Sequence, residues 1–386
     1  MRSSVGGALG VLLAVAGGAL GGCAMDAADA SEQPAAGAPG RFAPRDGTDP
    51  CPDVVCGMNS PVIDTLEFHE LSLLGARNAE GFAIQAVNGK AQLQGPPKMT
   101  GPVVSSYDLQ VKDSHITGVR GNTVISGEAL VGAQLQITNG SSHYLLAIRR
   151  ARELPFVVGA AGQVGAYQLE WAAGTPADHG AFSALCSNVA LLEQQVAQHG
   201  GINSEFARQE LLGMDTSDAV VFEGDRVSTA TMTMADQADS TWFNFGCASH
   251  TLAKLLLTRN TVNTQDPALA QPQRQRQATL KLLVADYCGN GTPLTVAGQA
   301  LAWQGDAMSF HPANPHELEA RWDDTGAVCL NVPRLVHPSS LGKDPFPDIQ
   351  ATIAATCAAA NRVLPSCDSP SDVFGYFGAL RVSANP

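Results

Sequence analysis

Basic residues are scarce in this chain. Lys and Arg number 23 against 36 Asp and Glu, which gives a formal net charge of −13 over 386 residues. No long run of basic residues offsets this balance, so the chain as a whole repels nucleic acid and anionic lipid headgroups. We therefore expect no nucleic-acid partner, and any attachment to a membrane must come from something other than charge.

Common enzyme motifs are also missing. The chain has no C-x-x-C pair, no G-x-S-x-G turn and no phosphate-binding glycine loop. His69-Glu70 and His316-Glu317 each begin a zinc-protease pattern, but Leu73 and Ala320 stand where the second His is needed. Ser340-Leu-Gly-Lys343 matches S-x-x-K without the K-T-G that should follow. The sequence therefore predicts no catalytic set, no metal site and no cofactor.

Two weaker patterns involve histidine. His250 and Lys254 stand four residues apart near Cys247, the spacing of a proton-transfer pair but also of an ordinary solvated helix face. His311 and His316 lie close together among prolines, without an acidic or Cys partner at metal-ligand spacing. We expect the ordinary explanation to hold for both.

The first residues have the form of an export signal. Arg2 precedes a short apolar run from Val5 to Leu20, which is too short and too rich in glycine for a membrane span. Leu20-Gly-Gly-Cys23 resembles a lipobox, so residues 1–22 are predicted to be a lipoprotein signal peptide and Cys23 the lipidated residue. Ordinary secretion with cleavage further on is the alternative. Residues 23–50 are small, polar and proline-containing, as in a flexible tether.

These features predict an exported lipoprotein anchored to a membrane through its N-terminal lipid. Met25 stands two residues after Cys23, where an Asp would favour retention in the inner membrane. We therefore favour the outer membrane or the cell surface.

Cysteine usage also indicates export. If Cys23 carries lipid, eight cysteines remain, an even number that in an exported chain predicts four disulfides. They are Cys51, Cys56, Cys186, Cys247, Cys288, Cys329, Cys357 and Cys367. Eight thiols allow about 105 pairings. Proximity in sequence favours Cys51 with Cys56 and Cys357 with Cys367, leaving the other four to cross-link the C-terminal region.

Residues 51–172 show the alternation of β-strands. Apolar and polar residues alternate from Val103 to Val111 and from Tyr167 to Trp171. Short apolar runs between them are separated by turn dipeptides such as Asn88-Gly89 and Asn139-Gly140. This pattern predicts an antiparallel, sandwich-like β domain.

Helical patterns enter after residue 173, and one of them leads into a distinctive stretch. Leu280, Leu283 and Val284 recur at helical spacing, and Gly289 stands where that helix should end. Between them lie Ala285-Asp286-Tyr287-Cys288, which with Gly289 resemble the signature of the bacterial ADYC-domain family. The resemblance runs over residues 245–334 and implies no defined activity. We assign residues 173–386 to an ADYC-like α+β domain stapled by disulfides.

The predicted fold class is therefore α+β, mainly β. Asp286, Cys288, Asn290 and Gly291 also partly fit a calcium loop, but Ala297 replaces its final Glu, and structural roles for the signature are the better interpretation. The functional hypothesis is a non-enzymatic envelope or surface protein that binds a protein or a glycan. The alternative is an envelope hydrolase that acts on cell-wall or polysaccharide material through carboxylates such as Asp286 or Glu319.

Overall fold

The computed structural model describes residues 61–96, 105–159, 161–186, 188–263, 265–295, 301–304, 309–310, 317–335, 349–367 and 380–385. The chain divides into two compact units, residues 1–38 and 39–386, and every described residue belongs to the second. The predicted signal peptide (1–22), the tether (23–50), Cys23, Cys51 and Cys56 lie outside the described residues.

Strands dominate the described part of the chain. The first of them are β1 (Val62–Ile63), β2 (Leu66–Glu67), β3 (Glu70–Ser72), β4 (Phe82–Ile84), β5 (Ala86–Val87), β6 (Lys90–Gln94), β7 (Ser106–Lys112), β8 (His115–Arg120), β9 (Thr123–Ser126), β10 (Gln134–Asn139), β11 (Ser142–Pro155) and β12 (Gln163–Thr175). Further along are β13 (Asp178–His179), β14 (Ser183–Ala184), β15 (Asp218–Gly224), β16 (Val227–Ser228), β17 (Thr233–Met234), β18 (Asp239–Cys247), β19 (Ala302–Gln304), β20 (Ser309–Phe310), β21 (Glu317–Asp323), β22 (Gly326–Leu330) and β23 (Arg381–Asn385). The mainly β prediction is confirmed.

Fourteen strands form one sheet with the order β3-β18-β15-β12-β11-β10-β6-β7-β8-β9, to which β4, β5, β13 and β14 add at the sides. Every pairing in it is antiparallel, as predicted. The sheet crosses the boundary predicted at 172/173, because β15 pairs with β12 and β18 pairs with β15 and β3. One sheet thus contains strands from both predicted regions.

The large sheet curls until its two halves meet. The backbone N–H of Ile116 on β8 donates to the Tyr167 hydroxyl on β12 at 2.8 Å, and Gly165 N–H donates to the Ser114 carbonyl at 3.0 Å. The apolar side chains that alternate along these strands point into the curl and form the first core, which includes Phe68, Leu93, Leu135, Leu146 and Phe243. The alternation therefore produces a layered, sandwich-like body.

Helices cover the opposite face of the sheet around β12 and β15. Three of them are α1 (Val189–Gln198), α2 (Glu205–Leu211) and α3 (Thr251–Leu257). Two further helices, α4 (Gln273–Val284) and α5 (Ile349–Ala359), follow later in the chain. Leu192, Leu211 and Leu256 pack with Val220 and Phe222 of β15 in a second core. Burial of such side chains removes about 25 cal/mol of unfavourable hydration per Å², so the helices are held by apolar contact with the sheet.

A second, five-stranded sheet has the order β20-β19-β23-β21-β22. Its central strand, β23, is buried along its whole length and pairs with β19 on one side and β21 on the other. Helix α4 lies between the two bodies, because Leu280 and Val284 belong to the second core and Leu282 to a third core under this sheet. The helix is buried on two faces, whereas the sequence pattern predicted one.

Within the described ranges, three disulfides join Cys186 to Cys247, Cys288 to Cys357, and Cys329 to Cys367. The predicted pair Cys357–Cys367 is therefore wrong. Cys357 follows Ile349 and Ile353 on the buried stripe of α5, which faces the third core where Cys288 lies. Because a helix directs residues four apart to the same side, Cys357 meets Cys288 rather than its neighbour in sequence.

Candidate functional site

The signature stretch begins one residue after α4. The helix ends at Val284, and Ala285 adopts the left-handed conformation with φ 54°, so the helix stops before the predicted end at Gly289. A small residue suits this position, because Ala285 is fully buried and a larger side chain would carry both the left-handed strain and a clash. The reversal places Asp286, Tyr287 and Cys288 in three different environments.

Asp286 closes the turn through its carboxylate. Both oxygens accept backbone hydrogen bonds, Oδ1 from Asn290 N at 3.1 Å and Oδ2 from Gly291 N at 2.9 Å. The Lys281 ammonium on α4 lies 2.6 Å from Oδ2 and also donates to the Thr231 carbonyl at 3.0 Å. Both side chains of this pair are essentially inaccessible to solvent. The oxygens that a calcium ion would require are thus bound to protons of the protein itself.

Tyr287 carries the signature into the third core. Its ring stacks on Trp322 with centroids 5.2 Å apart, and its hydroxyl donates to Glu319 Oε1 at 2.7 Å. Burial, together with the nearby Glu319 charge, raises the pKa of Tyr287 well above its ordinary value. The phenol therefore stays protonated and serves as a hydrogen-bond donor.

Glu319 is the acceptor at the centre of this cluster. Arg334 contacts it with both arms of its guanidinium, Nε to Oε1 at 2.7 Å and Nη2 to Oε2 at 2.8 Å, and Arg334 N also donates to Oε1. Burial alone would raise the pKa of Glu319, but the Arg334 charge and these hydrogen bonds outweigh it and hold the pKa below its usual range. Glu319 is an ionised, fully paired carboxylate with no exposed surface.

The last signature residues fasten the turn to other segments. Cys288 forms the disulfide with Cys357 on α5. Gly289 has φ +73°, and a Cβ placed there would lie 1.8 Å from the Thr325 carbonyl oxygen. Only glycine allows both this conformation and this approach of two backbones. Each of the five signature residues thus has a structural role. Ala285 ends the helix, Asp286 forms the buried ion pair, Tyr287 packs its ring in the third core, Cys288 forms a disulfide, and Gly289 allows the close backbone contact.

The histidine patterns have structural positions. His69 Nε2 lies 2.8 Å from the Val227 carbonyl oxygen, and neighbouring Glu70 binds Arg226 at 2.7 Å. His250 is fully buried, so the expectation of a solvated face is wrong there, while Lys254 pairs with Glu210 at 3.2 Å. The Ser340–Lys343 pattern and the His311 and His316 side chains lie outside the described residues.

A groove on the outer face of the large sheet was not anticipated from the sequence. Its volume is about 80 Å³, and the residues of the described ranges that line it are uncharged: Gln85, Val87, Gln92, Gln94, Ser106 and Gln136. Ala91, Leu93, Leu135 and Ile137 point into the first core, so the glutamines between them on β6 and β10 must face outward. In the sequence, the alternation Lys-Ala-Gln-Leu-Gln at residues 90–94 indicates that Gln92 and Gln94 share one face of a strand.

Two structural searches were confined to the described ranges. No three His, Cys, Asp or Glu side chains there come together in a way that would hold a metal ion. No helix there is long and apolar enough to cross a membrane.

Comparison with known proteins gives one result. No curated protein and no solved structure matches this chain. Residues 127–336 match the ADYC domain, a region that begins well before the stretch 245–334 on which the resemblance was based and takes in strands β10 to β22. Because the match covers more than half of the chain and contains the buried signature Ala285–Gly289, the chain belongs to the ADYC domain family.

Proposed function

We propose that this protein is a lipid-anchored envelope or surface protein whose role is binding rather than catalysis. The three disulfides of the described part of the chain indicate an extracytoplasmic protein, because such bonds persist in oxidising compartments. The lipobox at Cys23 supports an anchor at the membrane. Partners of the binding role would be a protein or a glycan of the envelope.

The observation that carries the proposal is the burial of the signature. Asp286, Tyr287 and Glu319 are each 0% exposed, and each is held by a partner inside the protein. A catalytic group must reach its substrate within hydrogen-bond distance, and these three groups face only the core. The hydrolase alternative relied on Asp286 or Glu319, and no observation favours it.

One experiment tests binding against hydrolysis. Purified mature protein is incubated with insoluble cell-wall polysaccharide and with immobilised envelope proteins, and both the retained protein and the newly released reducing ends are measured. We expect retention on one of these materials without release of reducing ends. Release that grows with time and protein concentration would establish a hydrolase and overturn the proposal.

The anchor has its own test. A Cys23→Ala variant is expressed beside the parent protein, and membrane and soluble fractions are compared by immunoblotting. Stable anchoring requires more than one acyl chain, so loss of the lipidation site should move the protein into the soluble fraction. Unchanged partitioning would contradict lipid anchoring.

A further inference from the structure

The amides in the outer groove are fixed by a neighbouring charge. Gln92 donates through Nε2 to Asp108 Oδ1 at 3.1 Å and to the Lys90 carbonyl at 3.0 Å. Because an ionised carboxylate only accepts hydrogen bonds, Asp108 forces the Gln92 oxygen toward the Ser106 hydroxyl, which donates to it at 2.7 Å. Hydrogen bonds from Lys90 and Gln92 lower the pKa of Asp108, which keeps this orientation in place at neutral pH.

The other three amides of the groove are left for a ligand. Among the described residues, no group hydrogen-bonds to the side-chain amides of Gln85, Gln94 or Gln136. Each amide offers two N–H donors and one oxygen acceptor. The lining therefore combines a fixed floor, formed by Gln92 and Ser106, with three amides that can both donate and accept.

The chemistry of this lining selects a class of ligand. None of the six lining residues that the structure describes is charged, so no described group of the lining neutralises a phosphate or a carboxylate. Hydroxyl groups donate and accept hydrogen bonds as carboxamides do, and the exposed Val87 (51% exposed) offers apolar surface for the C–H face of a sugar ring. A groove of about 80 Å³ is far smaller than the roughly 300–1,000 Å³ of pockets that enclose a small molecule, so it suits the edge of a chain.

An extended peptide fits less well. Peptides commonly bind sheets by adding a strand to an open edge, but β6 pairs with β10 on one side and with β7 on the other. The backbone N–H and C=O groups of Gln85 are also used, with Gln136 O and Gln92 N respectively. A ligand therefore meets the side chain of Gln85 rather than its backbone, and none of the described lining residues is an aromatic anchor of the kind that dominates protein interfaces.

From these contacts we infer that the groove formed by Gln85, Val87, Gln92, Gln94, Ser106 and Gln136 binds an uncharged glycan chain. This inference rests on the proposed binding function and names its ligand class. Five of the six residues precede the region that matches the ADYC domain. Glycan binding would therefore depend mainly on strands that precede the matched domain, with Gln136 contributed by β10 inside it.

The test uses calorimetric titration of the purified mature protein. The probes are a neutral tetramer of β-1,4-linked glucose, a neutral tetramer of N-acetylglucosamine, an acidic oligogalacturonate and an unstructured Gln/Ser-rich peptide. We expect binding of at least one neutral tetramer and none of the acidic one. A double variant, Gln94→Ala with Gln136→Ala, should weaken that binding at least about tenfold, as expected for the loss of two hydrogen bonds.

Gln110→Ala is the matched control, since Gln110 is an exposed glutamine on the same face of β7 outside the groove. Gln110→Ala should leave the affinity for the tetramer unchanged. If the double variant does not fold, Gln94→Glu takes its place, because it preserves the side-chain volume, and it should also weaken binding. Equal affinity of the Gln94 and Gln136 variants and the parent would place the ligand elsewhere and overturn the inference while leaving the binding function standing. Binding of the peptide alone, or of no probe, would overturn the glycan assignment, and release of reducing ends would instead refute the proposed function.

Discussion

At the scale of single residues, the signature places a carboxylate, a phenol, a thiol and a glycine in consecutive positions, each with a partner from elsewhere in the chain. Asp286 forms an ion pair with Lys281, and Tyr287 donates a hydrogen bond to Glu319. Cys288 forms a disulfide with Cys357, and Gly289 lies against the Thr325 backbone. A short motif thereby ties α4 to the third core.

The buried ion pair of Asp286 should be costly to break. Asp286→Asn removes the negative charge opposite the buried Lys281 ammonium and replaces one accepting oxygen by an NH2 donor, and we expect the free energy of unfolding to fall by about 3–5 kcal/mol. The control is Asp108→Asn, which breaks a surface pair with Lys90 and should cost less than about 1 kcal/mol. Urea unfolding measures both, and equal losses would contradict the structural role of this ion pair.

Comparing Gly289 with Gly89 separates the free-energy cost of a positive φ from the cost of a steric clash. Gly289→Ala and Gly89→Ala both force alanine into positive φ, at +73° and +71°, but only at Gly289 does an added Cβ meet another atom. We expect about 1–2 kcal/mol at Gly89 and a larger loss, above about 3 kcal/mol, at Gly289. Thermal unfolding of the two variants checks this, and similar melting temperatures would show that the backbone contact relaxes at little cost.

At the scale of elements, α4 and α5 depend on each other through the third core. The Cys288–Cys357 bridge spans 69 residues of sequence, and closing so long a loop restricts the unfolded chain. A Cys288→Ser, Cys357→Ser double variant should lose about 2–5 kcal/mol, measured by guanidinium unfolding.

Peptide mapping without reductant supplies the control for that variant. It should yield Cys186 with Cys247, Cys288 with Cys357, and Cys329 with Cys367. A Cys357–Cys367 peptide would show that the pairing by sequence proximity had been right after all.

The elements also show how far sequence reasoning reaches. Alternation predicted strands from Val103 to Val111 and from Tyr167 to Trp171, where β7 and β12 lie, because the side-chain period of a strand is a local property. The end of α4 was misplaced because Asp286 binds Lys281 and the turn N–H groups, a tertiary arrangement without a local pattern. The groove escaped notice for the same reason, since Gln85, Gln94 and Gln136 meet only when β10 pairs with β4 and β6.

At the scale of the whole molecule, stability should depend on pH through His250. This side chain is fully buried beside α3. Burial first, and then the charges of His69 and Lys254, hold its pKa well below the ordinary value. Below about pH 6.5 the imidazole of His250 binds a proton in the unfolded chain but stays neutral in the folded protein. The free energy of unfolding is therefore greatest above that pH and falls as pH decreases, by up to about 1.4 kcal/mol per pH unit.

Melting temperatures between pH 7.5 and 5 test this dependence. His250→Gln should lower stability at pH 7.5 yet flatten the decline toward pH 5, because the titrating group is gone. His143→Gln, at an exposed position, serves as the control and should follow the parent curve. A parent protein with no decline over this range would contradict the assignment.

The position of β23 has a consequence for the order of folding. Strands β19 and β21 do not pair with each other, and residues 381–385 join them. The hairpins β19–β20 and β21–β22 can form early. The complete sheet also requires β23, which lies about 80 residues after β19 in the chain, and pairings between such distant segments form slowly. Until β23 arrives, two sheet edges stand open to wrong partners. The five-stranded sheet can therefore be completed only once residues 381–385 have been synthesised and are free to pair with both neighbouring strands.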